Sequence, residues 1–588
     1  LSLAFIAILF TSPLTIYFSI EAKAFSPSAA DFNGNGSVES EDLIILNNNW
    51  GQRYTYGSGS PNGPGDANRD GIVNILDMSA VAGQWRSQGT PNPPSGDFAI
   101  TNLSTNHAKI GATITINGRG FGTSRGSSRV WFGELPQYRF PDSIVARPCT
   151  KEAASYISWS DTQIVVTVPS MSPGLAEANG THHPVYVEVG GVQTNTSDFF
   201  IDPVITLDAS SSISDWQSVF PNSTVKKETV TYTNSTGSRH ASYTTHVTLS
   251  SDNAPHPAWG NVVKTGSHDV LIKDTSFISL SNGLNPSDSG VITMGSYEYG
   301  DNPGNIYNIT FYNSIIHNNM QNNSGWNGTN AIKIYHGDEN AGRVGDWTFS
   351  DCSFGTPNSP GGAFSRFGIE FVENNRGFSS YRDVNYLHNI RISGSDFEPT
   401  ILDPISLAFG GRGPDRGILI DNDVFKGNGS AAIEVHLYGM VVRDVDVWSG
   451  GFVSLEGNST EFGGVSYIGP QSHLYFLRVN LRPEIQYEGI LPHGSVMFNA
   501  DNYGGVVFDD CNFNFGNSDN HYSIASYASS FSTNDGWDMS TSYMFGLSSW
   551  GPNPKTTSVQ YWTDWTNTDP MTLLGNKGMK WPRLGPKP

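Results

Sequence analysis

The chain has 588 residues, among them 64 Gly and 33 Pro, with charged residues at 15% and aromatics at 12%. That length exceeds one ordinary domain, and the composition suits turn-rich β structure while excluding a coiled coil or a disordered acidic tail. With 33 Lys and Arg against 54 Asp and Glu, the net charge of −21 would repel a phosphate backbone, so nucleic acid is not an expected partner, whereas hard cations and neutral surfaces are compatible.

Residues Leu1 to Ile20 carry no charge, and Ala22-Lys23-Ala24 stands just before Phe25. An apolar run that closes on an A-x-A site has the form of a secretory signal peptide, so residues 1–24 are expected to direct export, with cleavage after Ala24. A run of about 20 apolar residues is also long enough to serve as an uncleaved anchor. Cys149, Cys352 and Cys511 are too few and too far apart for a disulfide framework, and no C-x-x-C pair suggests a thiolate metal site.

Two twelve-residue acidic loops follow. The first places Asp31, Asn33, Asn35, Ser37, Glu39 and Asp42 at loop positions 1, 3, 5, 7, 9 and 12; the second places Asp66, Asn68, Asp70, Ile72, Asn74 and Asp77 there. Side-chain oxygens at five of these positions and a main-chain carbonyl at position 7 form the oxygen shell that Ca²⁺ takes, and Gly36 and Gly71 fall at position 6, where the loop turns sharply. Val38 and Val73, at position 8, are expected to pack inward. Each loop leads into a short helical stretch, Leu43 to Trp50 and Met78 to Trp85. Over residues 30 to 87 this pair of loops and helices resembles a dockerin, a small EF-hand-like module placed here within 25–87; Asp at position 12 fits that family. The resemblance implies Ca²⁺ as cofactor and a cohesin-like partner. Ser40-Glu41 and Ile75-Leu76 stand where cellulosomal dockerins carry a Ser-Thr pair, which separates this module from those in partner recognition.

Residues 88–96 lie in a Pro/Gly/Ser linker. Beyond it, alternating runs at Ile110–Phe121, Val130–Phe132, Gln163–Val168 and Val185–Val189, separated by Gly turns, predict an antiparallel sandwich. Residues 97 to 202 resemble an IPT/TIG immunoglobulin-like domain, which implies an Ig-like β-sandwich that spaces or supports other modules. Gly118-Arg119-Gly120-Phe121-Gly122 has no helical pattern after it and reads as a turn, not a nucleotide loop.

An eight-residue motif then recurs eight times, starting at Val270, Ile309, Trp347, Ile390, Ile418, Val441, Leu474 and Val506. Positions 1, 3 and 8 are mostly apolar, and position 5 is Asp or Asn in five copies, Asp274, Asn313, Asp351, Asn422 and Asp510. A second short strand lies between copies, for example Ile332-Lys333-Ile334, Ile369-Glu370-Phe371 and Ile433-Glu434-Val435. One turn of chain per repeat with an Asx corner predicts a right-handed parallel β-helix over 203–518. On this pattern the region resembles the pectate-lyase-like superfamily. Residues 519–588, rich in Trp, are expected to form a C-terminal cap or extension.

The fold class expected is therefore mainly β: a calcium module, an Ig-like sandwich and a parallel β-helix. Aligning the second strands puts Lys333, Glu370, Ser406, Glu434 and Ser454 in one outward row, with Tyr335 and His436 beside it. Glu370 and Glu434 fall two coils apart, about 9.6 Å between backbones, near the upper end of the spacing of inverting glycosidase carboxylates. Lys333 suits a uronate or the base of a β-elimination. The same row is also what an ordinary soluble surface carries. No H-E-x-x-H, G-x-S-x-G or P-loop occurs. The reading is an exported, calcium-binding extracellular or cell-surface structural protein, a matrix or filament element that contacts glycans or assembles with itself. Its rivals are a polysaccharide lyase or glycoside hydrolase, and a cohesin-docked scaffold component.

Overall fold

The computed structural model describes Ile45, Leu46, Asn49, Gln52 and Val73, residues 98–133, 149–178 and 180–251, and beyond these the strands with their immediate flanks as far as Leu584. The chain divides into two compact units, residues 1–99 with 193–195, and residues 100–192 with 196–588. In the first unit Ile45 and Leu46 are helical, inside the stretch expected to be a helix. Leu46 and Val73 are fully buried, and the Val73 amide donates to the Gln52 carbonyl at 3.0 Å. Position 8 of the second loop thus packs inward, as the alternation of oxygen donors around it requires.

The second unit opens with two four-stranded sheets. In one, Thr113–Arg119 pairs antiparallel with Gln163–Thr167, which pairs in turn with Ser155–Trp159. In the other, Arg129–Phe132 pairs antiparallel with Lys151–Glu152 and with Val185–Val189. Period-two alternation buries Ile114, Ile116, Ile164 and Val166 from the first sheet and Val130, Phe132, Val185 and Val187 from the second.

From Ile205 onward the chain winds through three sheets of eleven, twelve and nine strands, visiting the first, second and third in turn. In the first ladder His268–Lys273, Ile306–Tyr312, Val344–Ser350, Leu387–Ser393 and their successors pair parallel, rung on rung. Motif positions 1 and 3 point inward. Ile309, Trp347 and Ile390 form one buried column, and Phe311, Phe349 and Ile392 another. In the second ladder position 8 supplies Phe354, Phe397 and Phe425, whose rings stack with centroids 4.3 and 4.7 Å apart. Stacked rings at the rung repeat add to the burial of area, about 0.5–1.5 kcal/mol per aromatic pair.

Between the first and second ladders every copy turns through the left-handed region: φ is 51° at Asp274, 44° at Asn313, 54° at Asp351, 64° at Gly394, 59° at Asn422, 56° at Asp444, 52° at Arg478 and 53° at Asp510. Asp, Asn and Gly tolerate this conformation, which explains the Asx preference at position 5. The structure corrects the sixth copy: Met440, not Val441, pairs with Ile418, so the copy starts one residue earlier and Asp444 takes the corner. The ladders also run past residue 518, where the sequence reading ended them: Trp537–Asp538 and Met579–Lys580 extend the first, and Tyr543–Phe545 and Arg583–Leu584 the second.

The N-terminal end of the stack is covered. The helix Ile213–Val219 begins with a capping box between Ser212 and Asp215, and Trp216, Val219 and Phe220 join the core beside Leu207 and Phe277. Thr224–Lys226 pairs antiparallel with Val247–Ser250, the first rung of the second ladder.

Candidate functional site

On the third ladder the register runs Thr293, Lys333, Glu370, Ser406, Glu434, Ser454, one residue per rung. Glu370 and Glu434 are separated by the single Ser406 rung, about 9.6 Å at the strand repeat. Tyr335 pairs with Val372, on the column next but one to Lys333, and His436 lies outside the described residues. Thr293, at the head of the column, is buried and its hydroxyl has no hydrogen-bond partner. The calcium-loop residues Asp31, Asn33, Asn35, Ser37, Glu39, Asp42, Asp66, Asn68, Asp70, Ile72, Asn74 and Asp77 also lie outside the described residues. Among the described residues no trio of His, Cys, Asp or Glu is arranged to hold a metal ion, and no helix is long and apolar enough to cross a membrane. The donor set at the twelve-residue loops, all oxygen with one main-chain carbonyl, fits Ca²⁺ and not a soft metal.

The outer faces of the other two ladders are occupied by the chain itself. Against the first ladder lie Cys149, Lys151 and residues 170–178 and 180–183. Thr310 Oγ1 donates to the Pro173 carbonyl at 2.6 Å, Thr348 and Ser172 share a hydroxyl hydrogen bond at 2.6 Å, and Lys151 Nζ pairs with Asp346 at 2.7 Å. Cys149 packs with Leu419, Val441 and Tyr475, all of them outward residues of the first ladder. Gly180 has φ 86°, and a Cβ there would meet the Ser393 side chain at 2.5 Å, so only glycine allows this approach. Burial is the main cause that lowers the His183 imidazole to about 4, against a hydrogen bond with the Ser172 carbonyl that favours its charged form.

Asp269, Asn308, Asp346 and Asn389, each just before motif position 1, form a second left-handed column beside this contact. Asn308 Nδ2 donates to Asp269 at 2.7 Å and Asn389 Nδ2 to Asp346 at 2.9 Å. Sequence reasoning missed them, although the alternation Asp, Asn, Asp, Asn ahead of four consecutive copies was a signal.

Against the second ladder lies the hairpin Val230–Thr233 and Ser242–Thr245. Buried Asp396 accepts from the Arg239 amide at 2.9 Å, from Tyr243 Oη at 2.8 Å and from Asn234 Nδ2 at 3.1 Å. Arg239 Nη2 donates to the carbonyls of Asp423 and Asp444 at 3.0 and 2.8 Å, across successive rungs. Burial, then the Asp396 charge, raises the Tyr243 phenol well above its ordinary range, which keeps it a donor. One rung further Lys426 Nζ contacts Asn234 Oδ1 and Glu398 Oε1, with the Trp448 ring centroid 5.8 Å away. Glu398, Lys426 and Trp448 all follow motif position 8 directly. The charges of Glu398 and Lys426 were visible in the sequence, but Asn234, the hairpin partner of Lys426, was not.

The family model for the Dockerin type I domain matches residues 29–84, so the pair of acidic loops is a dockerin type I domain. Cyclomaltodextrin glucanotransferases are similar to a limited part of the chain: that of Thermoanaerobacterium thermosulfurigenes is 34% identical over 106 residues, 18% of this chain and 12% of the relative, and that of Geobacillus stearothermophilus 33% identical over the same length and shares. The enzyme of Bacillus sp. (strain 6.6.3) is 29% identical over 140 residues, 24% of this chain and 16% of the relative. The chain thus spans well under a fifth of these relatives. Among solved structures, a gamma-CGTase from Alkalophilic bacillus clarkii is similar at 19% identity, TM-score 0.14, over 23% of this chain and 16% of that one.

Proposed function

We propose that this is an exported modular protein that presents one face of a right-handed parallel β-helix to an extracellular polysaccharide, with the dockerin domain holding Ca²⁺ and docking a cohesin-like partner. The domain division put forward is the one read from sequence, with an Ig-like sandwich at 97–202, except that the helix takes in the strands beyond 518. The observation that carries the reading is the distribution of faces: the first ladder is taken by the sandwich and the second by the hairpin, while the third carries a column with Lys333, Glu370, Ser406, Glu434 and Ser454 in register. Such a column, repeating at about 4.8 Å, offers a row of hydrogen-bonding positions to an extended polymer. The dockerin domain and the partial similarity to cyclomaltodextrin glucanotransferases support a carbohydrate-active, extracellular setting. A matched stretch of 106 residues is as long as segment 97–202, and we assign the similarity there. The covered N-terminal end favours a surface or matrix element over an axial filament.

Affinity electrophoresis of the full chain against a panel of neutral and acidic polysaccharides tests the reading. Retardation by one class, lost in a Lys333→Ala, Glu370→Ala, Glu434→Ala variant, supports it; equal mobility in every gel overturns it. The two-rung separation of Glu370 and Glu434 favours a second reading, glycan cleavage by an acid and base pair with Lys333 near the substrate. Release of reducing ends or unsaturated products, abolished by Glu434→Gln, would establish that chemistry.

A further inference from the structure

We propose that Lys426 and Asn234 become joined by an intramolecular amide bond that the protein forms by itself, with Glu398 as the proton carrier. Three side chains that such a reaction needs meet in one buried place. Lys426 is fully buried and its Nζ touches both the Asn234 carboxamide oxygen and the Glu398 carboxylate. Asn234 and Glu398 are buried as well. Trp448 lies over the amine, and the hairpin glycine Gly237 closes on the Trp448 ring, where even a Cβ would approach it to 3.0 Å. The pair is distant in sequence, 192 residues apart, so the fold alone brings it together.

The electron and proton balance closes without any outside reagent. Lys426 passes a proton to Glu398, which turns a buried ion pair into a neutral amine and a neutral acid and so removes two charges from a site of low polarity. The Nζ lone pair attacks Asn234 Cγ, and the carbonyl electrons move onto Oδ1. That oxygen already accepts the Ser235 amide at 3.1 Å, a donor placed where negative charge develops. Glu398 gives its proton to Nδ2 and takes one from Nζ; the carbonyl re-forms, the Cγ–Nδ2 bond breaks and ammonia leaves. Asp396 Oδ2, 3.1 Å from Nδ2, orients the leaving group and faces the departing ammonia. An ammonium and a primary carboxamide become a secondary amide and an ammonium ion. The hairpin is then fixed covalently to the second ladder. Asn234 heads an N-x-T sequon, and its burial against Lys426 and Asp396 gives its amide this partner in place of a glycan.

The test is peptide mass spectrometry of the full chain, digested with trypsin after denaturation. The expected product is a branched species that joins residues 228–239 to residues 417–443, lighter than the sum of the two by one ammonia, with no cleavage after Lys426. A succinimide at an Asn-Gly step also loses ammonia but joins no two peptides. Lys426→Arg and Glu398→Gln are expected to give separate linear peptides. Asn234→Asp is expected to give the same branched species by loss of water, which keeps the test independent of whether the Lys426 variant folds. Only linear 228–239 and 417–426 from the wild-type chain would overturn the proposal, and an undiminished branched species in Glu398→Gln would overturn the role of Glu398.

Discussion

The second and third ladders are wound from the same turns of chain, yet polar residues on their outer strands stand in different company. On the second, Asp396, Glu398 and Lys426 are buried, Asp396 and Lys426 against partners on the hairpin and Glu398 against Lys426. On the third, the polar residues follow one another rung by rung as a column. A charged residue at an outward strand position is therefore no sign of chemistry in itself; what covers it decides, and that is settled by contacts far away in sequence. A similar contrast is expected between the dockerin loops, whose order should depend on Ca²⁺, and the stack, which rests on its inner columns.

Calcium removal should separate these two kinds of stabilisation most strongly. A module of some 55 residues has a marginal core, and binding energy at such loops is folding energy. Excess EDTA is expected to abolish hydrogen-exchange protection in residues 29–84 and leave the amides of the ladders unchanged; protection that survives in the loops would show that the module does not depend on its metal. Within the stack, Phe397→Ala removes a fully buried ring between Phe354 and Phe425. The loss is expected to be about 3–5 kcal/mol, read as a lower urea midpoint, against a change within about 0.5 kcal/mol for Glu370→Gln on the third ladder.

How far each region was legible follows from the range of the interactions. The dockerin loops were readable because ligand spacing is local, and the inner columns because apolar positions 1, 3 and 8 recur in every copy. The corner was readable as well, since αL backbone selects Asp, Asn and Gly. The sixth copy slipped by one residue because Met440, Val441 and Val442 are all apolar, so hydrophobicity could not choose among them; Asp444 at the corner could. The hairpin over Asp396 and the segment 172–173 over Thr310 and Thr348 were not readable, because they rest on pairs more than 130 residues apart.

The contact between the segment ending at His183 and the first ladder should be sensitive to acid. His183 is buried and its Nδ1 has no hydrogen-bond partner, so a proton added there finds no acceptor. Its value in the fold, about 4, lies below the ordinary 6.5. The neutral ring therefore contributes stability that is present above pH 6.5 and is lost as pH falls towards 4, by up to about 1.4 kcal/mol per pH unit. Hydrogen-exchange protection factors at residues 172–183, rates taken relative to intrinsic exchange at each pH, are expected to fall between pH 6.5 and 4 in the wild type and to change less in His183→Gln. Equal acid response in both would locate the sensitivity elsewhere, with the buried His317, also lowered to about 4 by burial, as the other group that resists charging.

The smallest effect concerns Arg478, the one corner residue in the eight copies that is neither Asx nor Gly. Its φ of 52° costs about 1–2 kcal/mol for an ordinary side chain. It is offset in part by a bidentate pair with Asp444 one rung away, at 2.6 and 2.7 Å. That pair is more than a third exposed, so it contributes about 0–1 kcal/mol. Arg478→Asn exchanges the pair for a residue suited to the left-handed region, placed as Asn313 is when it donates to Asp274 at 2.7 Å. The backbone relief is at least as large as the lost pair, so the urea midpoint is expected to hold or to rise slightly. Arg478→Val loses the pair and, being β-branched, fits the αL backbone worse, so it should fall by more than about 1 kcal/mol. If both variants lost stability equally, the ion pair and not the backbone would govern this corner.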